Sequence, residues 1–158
     1  MSGLTLGDVG TGQKLPELVY RVTATRLVAG ALASRDYSPL HHDRNYAVNV
    51  ANQRDIFANT QFQSALFERY LQDWGGPLCR IARLKFRMRS SVYADDEARL
   101  TGTVTSSGAA LPCGAGAVIA VELHVEDRLA TSCEALVGLP CDAGDNPWNR
   151  RGPEWLQP

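Results

Sequence analysis

A chain of 158 residues, 44% hydrophobic and 21% charged, is the size of one globular domain and carries enough apolar material to bury a core. Sixteen Lys and Arg against seventeen Asp and Glu leave a formal charge of -1, so no global field favours nucleic acid. No apolar run reaches the ~18 residues needed to span a bilayer, and the N-terminal "MSGLTLGDVGTGQKLPEL" lacks a signal-peptide core, so the expected location is cytoplasmic. Cys79, Cys113, Cys133 and Cys141 include no C-x-x-C pair; they read as reduced thiols used for packing rather than as a zinc or disulfide framework.

In chain order, "LVYRVTATRLV" (18–28) alternates and is rich in β-branched residues, which predicts a first strand. A segment dense in Asp and His follows, then a short helix from Asp43 to about Val50. The clearest helix begins at Thr60, where Gln63 three residues later completes a capping-box signature. Phe62, Leu66 and Tyr70 form its apolar stripe, extended by Ala65 and Trp74, and Gly75-Gly76-Pro77 stops it. The period then changes to two, with strands predicted over 79–90, 97–107, 117–127 and 128–138. The expected fold class is α+β, with one helix packed on an antiparallel sheet over residues 1–140. Residues 141–158 read as a C-terminal tail, either disordered or docked through Trp148 and Trp155.

The chemistry-bearing segment is "ASRDYSPLHHDRNYA" (33–47), which holds two of the three histidines. Pro39 biases Ser38 to extended geometry, so Asp36 and His41 stand on a stiff turn. A carboxylate and an imidazole facing one small volume hold a water between them and move its protons near neutral pH. From spacing alone, a polar loop with an Asx-turn and an incidental histidine is the simpler reading. A metal site built from His41, His42 and Asp43 is not expected, because adjacent side chains diverge and ligand histidines commonly lie about three to five residues apart.

The segment resembles the hydratase motif of MaoC-like, R-specific enoyl-CoA hydratases, D-x-N-P-x-H, here Asp36-x-Ser38-Pro39-x-His41 with serine in place of asparagine. The longer strings "SRDYSPLHHDRNYAV" and "RDIFANTQFQSALFERYLQDWGGP" resemble the small hotdog subunit of actinobacterial steroid side-chain hydratases, from about Ala33 to Val104. The resemblance implies a hotdog domain, a curved sheet wrapped around a central helix. It implies hydration or dehydration of a 2-enoyl-CoA with a bulky acyl group such as a steroid side chain, with Asp36 and His41 as the catalytic pair. The amide of Asn59 or Thr60, at the start of the central helix, would bind the thioester oxygen. No cofactor is implied, since coenzyme A is part of the substrate, and the implied partner is a second MaoC-like hotdog subunit, otherwise a second copy of the chain. His42 matches no catalytic position. The rival readings are a hotdog acyl-CoA thioesterase, which places an acid on or near the central helix, and a non-catalytic subunit completing a partner's acyl-CoA site.

Two charged rows remain. Arg83, Lys85, Arg87 and Arg89 share one strand face, either a solvated sheet face or a set of contacts to the phosphates of coenzyme A. Glu122, His124 and Glu126 read as a solvent-side row, because Ile119, Val121, Leu123 and Val125 opposite them are apolar.

Overall fold

The computed structural model describes residues 3–111 and 114–150. Strand β1 (Lys14–Arg21) leads into helix α1 (Ala24–Ala33), so the strand expected over 18–28 ends early. Thr23 decides this: its Oγ1 accepts from Arg26 N at 3.2 Å and starts a helix that buries Leu27 and Ala31, a one-turn spacing on one face. The β-branched residues around it pointed to a longer strand, and the cap and the burial override that preference.

The short helix expected from Asp43 forms as a π-helical turn, Tyr46–Val50, with Asp43 Oδ1 accepting from Tyr46 N at 3.0 Å. The central helix α2 (Thr60–Gly75) is capped by Asn59 rather than Thr60, through Phe62 N donating to Asn59 Oδ1 at 2.8 Å. Gln63 therefore takes no part in a capping box. The buried face of α2 consists of Gln63, Leu66, Phe67, Tyr70 and Leu71; Phe62 and Trp74 are only partly buried, and Ala65 is exposed. Gly76, with φ 82, closes the helix by donating its N–H to Gln72 O, the left-handed ending that glycine adopts without a Cβ penalty.

Strands β2 (Arg80–Met88), β3 (Glu97–Leu111), β4 (Gly114–Val125) and β5 (Arg128–Gly138) join β1 in one five-stranded sheet of order β1-β3-β4-β5-β2. All its pairings are antiparallel. One long helix packed on such a sheet is the expected hotdog arrangement. Ile119, Val121, Leu123 and Val125 are buried, while Glu122 and Glu126 are exposed and His124 Nε2 lies 3.1 Å from Glu122. Strand β2 forms one sheet edge and packs Leu84 and Phe86 against the core, but Met88 is 46% exposed.

Cys79 and Cys133 are buried, and burial pushes the Cys133 thiol up to about 11. Cys141 is exposed, so the packing role expected of it does not hold; Cys113 lies outside the described residues. Of the tail, residues up to Arg150 are described and are docked: Arg80 Nη1 donates to Pro147 O at 2.7 Å and Arg150 Nη2 donates to Leu139 O at 3.1 Å. Trp148 is 47% exposed, so arginines rather than a buried ring hold this segment; Trp155 lies outside the described residues. No helix among the described residues is long and apolar enough to cross a membrane.

Candidate active site

The site starts where α1 ends. Ser34 N donates to Gly30 O at 3.0 Å, and Arg35, at φ 54, turns the chain so that Asp36 N reaches Ala31 O at 2.9 Å. Ser38 is extended at φ -61, ψ 123, and Pro39–His41 make a single 3-10 turn, the stiff turn expected from proline. This turn sets His41 Nε2 3.6 Å from Asp36 Oδ2. The separation is too long for a hydrogen bond, and both groups face the same small space.

Each partner is held from behind. His41 Nδ1 lies 2.8 Å from Phe57 O, and a carbonyl only accepts, so Nδ1 carries the proton and Nε2 faces Asp36. The Phe57 ring stands edge-on to the imidazole, at 5.0 Å between centroids and 86°. The strand-like segment around Phe57 is fixed by Ala94 N donating to Ile56 O at 3.0 Å and Ala58 N to Val92 O at 2.8 Å, and by Arg54 pairing with the buried Asp96. Asp36 Oδ1 accepts from Ser38 N at 3.2 Å, and Oδ2 accepts from Asn59 Nδ2 at 3.0 Å. The Asn59 amide, then Ser38 N–H, hold the Asp36 carboxyl below its ordinary value against the opposing effect of desolvation, with smaller help from His41 and His42.

Asp36 and His41 line a cavity of about 300 Å³ that continues past Asn59 and, on the central helix, Thr60 and Gln63 to Met88 at the end of β2 and Arg89, Ser90 and Ser91 beyond it. The backbone N–H groups of Thr60 and Gln61 have no acceptor among the described residues, the normal state of a helix's first turn. The expected pair Asn59 and Thr60 is therefore at the site, with the Asn59 side chain committed to Asp36 and to the helix cap.

The basic row divides. Arg89 lines the cavity, whereas Arg83 pairs with Glu134 at 3.3 Å on the exposed face and Lys85 and Arg87 border a shallow depression beside Glu122 and Glu134. His42 Nε2 turns to Tyr37 O at 3.2 Å and Asp43 caps a turn, so His41, His42 and Asp43 do not converge. Sequence reasoning did not single out Gln63, Met88, Ser90 or Ser91 as site residues. Only Gln63 left a signal: a polar side chain on the apolar face of a helix.

No family model matches the chain. It is 39% identical over 95 residues, 60% of its length, to the 3-oxo-4,17-pregnadiene-20-carboxyl-CoA hydratase beta subunit of Mycobacterium tuberculosis, of which the match covers 73%. The chain belongs to the MaoC-like hydratase family. Among solved structures, a chain of the ChsH1-ChsH2 complex from Mycobacterium tuberculosis matches with TM-score 0.75 and 29% identity, covering 82% of this MaoC-like chain and 98% of that one. The (R)-hydratase from A. caviae involved in PHA biosynthesis matches with TM-score 0.73 and 25% identity, over 84% of this chain and 98% of that one.

Proposed function

We propose that this MaoC-like chain hydrates, and in reverse dehydrates, a 2-enoyl-CoA thioester, with Asp36 and His41 as its catalytic pair. The observation that carries the reading is the 3.6 Å gap between Asp36 Oδ2 and His41 Nε2, with each group anchored on its far side. A water on the cavity side, bridging the two atoms, donates one hydrogen bond to Asp36 and loses its other proton to His41 Nε2. Its oxygen bonds to the β carbon, and the electron pair of the double bond moves to the thioester oxygen as an enolate. The enolate re-forms the carbonyl as the α carbon takes the proton from His41. One water is consumed, and no electrons are gained or lost. The step draws on no metal or redox cofactor, and coenzyme A enters as part of the substrate.

The free N–H of Thr60 at the start of α2 supports a role as donor to the thioester oxygen, since a helix N-terminus favours developing negative charge. Arg89 at the cavity supports contact with a phosphate of coenzyme A. The relative's name supports a bulky, ring-bearing acyl group of the steroid side-chain type. The partner we propose is a second MaoC-like hotdog subunit: the similar solved chain is part of a complex, ChsH1-ChsH2, and the cavity reaches Met88 at the end of edge strand β2, so a subunit on that edge would flank it. A cytoplasmic location fits substrates that are coenzyme A esters. Thioesterase chemistry is disfavoured, because Glu68 and Asp73, the acids of α2, are exposed and the helix residues in the cavity, Thr60 and Gln63, are neutral.

The test is turnover of enoyl-CoA esters of increasing acyl size, with and without a co-expressed MaoC-like subunit, beside the Asp36→Asn variant. Hydration lost in that variant supports the reading. Hydrolysis to free coenzyme A, or no hydration of any ester, overturns it.

A further inference from the structure

Gln63 is 1% exposed, yet it lines the cavity that holds Asp36 and His41. Its carbonyl Oε1 accepts from the Thr131 hydroxyl at 2.6 Å, and Thr131 is itself fully buried. That bond fixes which end of the amide points where. Nε2 is turned to the cavity side, where its partner is the Met88 sulfur at 3.4 Å. A carboxamide nitrogen has two N–H donors and a thioether is a weak acceptor; the second N–H has no partner among the described residues.

Buried donors are almost always satisfied by protein or water, so a donor facing a cavity points to an acceptor that enters it. Gln63 lies three residues after Thr60, on the same helix face. Helical side chains lean toward the N-terminus, which brings the amide over the first turn, where the N–H groups of Thr60 and Gln61 also lack acceptors. We propose that Gln63 is a second donor to the thioester oxygen, forming with the Thr60 N–H a two-donor hole for the enolate. This rests on the hydration reading above. A neutral amide suits this role, because it stabilises developing charge without exchanging protons with Asp36 or His41. Thr131 is then a positioning residue, which holds the amide oxygen away so that the nitrogen faces the substrate.

The experiment uses the full chain in the assembly it forms. The double variant Gln63→Leu/Thr131→Val removes the donor and the hydroxyl that would otherwise be orphaned, and Gln63→Glu keeps the shape of the side chain but places an acceptor there. In both, kcat is expected to fall about 10²-fold, the usual scale for one lost donor of this kind, with KM changed less than about threefold. Affinity for a coenzyme A thioether lacking the carbonyl oxygen stays at the wild-type value. Affinity for an analogue with an anionic oxygen at that position weakens by the same factor as kcat. Wild-type kcat in the double variant, beside a loss in Asp36→Asn, overturns this inference alone. A loss confined to acyl groups that carry an oxygen of their own also overturns it and assigns Gln63 to acyl recognition. No turnover by the wild type on any enoyl-CoA overturns both readings.

Discussion

Asn59 Nδ2 donates to Asp36 Oδ2 at 3.0 Å while Asn59 Oδ1 accepts from Phe62 N at 2.8 Å, so the residue that starts the central helix also holds the carboxylate. Asn59→Ala should lose both. The missing cap alone costs about 1 kcal/mol, read as a fall in melting temperature of about 2–4 °C.

The same variant should alter the pH profile. Asp36 sits below its ordinary value of 3.8 chiefly through Asn59, so it remains ionised further into acid than an unheld carboxylate. Its contribution to stability is present above pH 3.8 and is lost as pH falls through the lower folded value. In Asn59→Ala the acid limb of kcat/KM that belongs to Asp36 should move up, and the stability gap to wild type should narrow as the solution is acidified below that value. An unmoved acid limb would remove Asn59 from the control of Asp36.

Asp36→Asn and His41→Ala should each lower hydration at least ~10²-fold with folding retained, the scale of a lost acid or base group. Steady-state turnover checks this beside circular dichroism. Near-normal turnover in Asp36→Asn would defeat the mechanism.

Charge reversal should separate Arg89 from the rest of its row. Arg89→Glu is expected to raise KM for coenzyme A esters about tenfold at low salt, and less as salt screens the contact. The same change at Arg83, Lys85 or Arg87, which stand on the outer sheet face, should shift KM less than about twofold. Equal effects at all four positions would restore the row as one phosphate-binding strip.

Tyr70 offers a stability test away from the chemistry. Its hydroxyl is buried with no hydrogen-bond partner among the described residues, and a Cβ on Gly102 would come within 3.1 Å of it. Tyr70→Phe removes an unsatisfied polar atom and should stabilise by about 1 kcal/mol. Burial raises the phenol from 10.0 to about 12, so the unfolded chain releases this proton first. The contribution of Tyr70 to stability is therefore fully present below pH 10 and is lost as pH rises toward 12; Tyr70→Phe should flatten that alkaline decline, which a urea titration at several pH values would reveal.

The stiff turn that carries Asp36 and His41 was legible in six consecutive residues, because its geometry is local. Pro39 fixes the backbone between Asp36 and His41, five residues apart, and the 3-10 turn Pro39–His41 returns the imidazole to the carboxylate's side. The central helix and the strands of the second half were legible for a similar reason, since periodicity reports which face is buried. The end of β1 was not, because a side-chain cap at Thr23 and the burial of Leu27 and Ala31 outweigh the strand preference of the β-branched residues nearby. What surrounds the pair was decided by tertiary structure alone. Asn59 meets Asp36 across 23 residues and Gln63 meets Thr131 across 68, and no local pattern encodes such pairings. The basic strand shows the same limit. Alternation set its charged residues on one face, but only the end of β2 at the cavity distinguishes Arg89 from its neighbours, since where a strand stops against a helix depends on packing among elements distant in the chain.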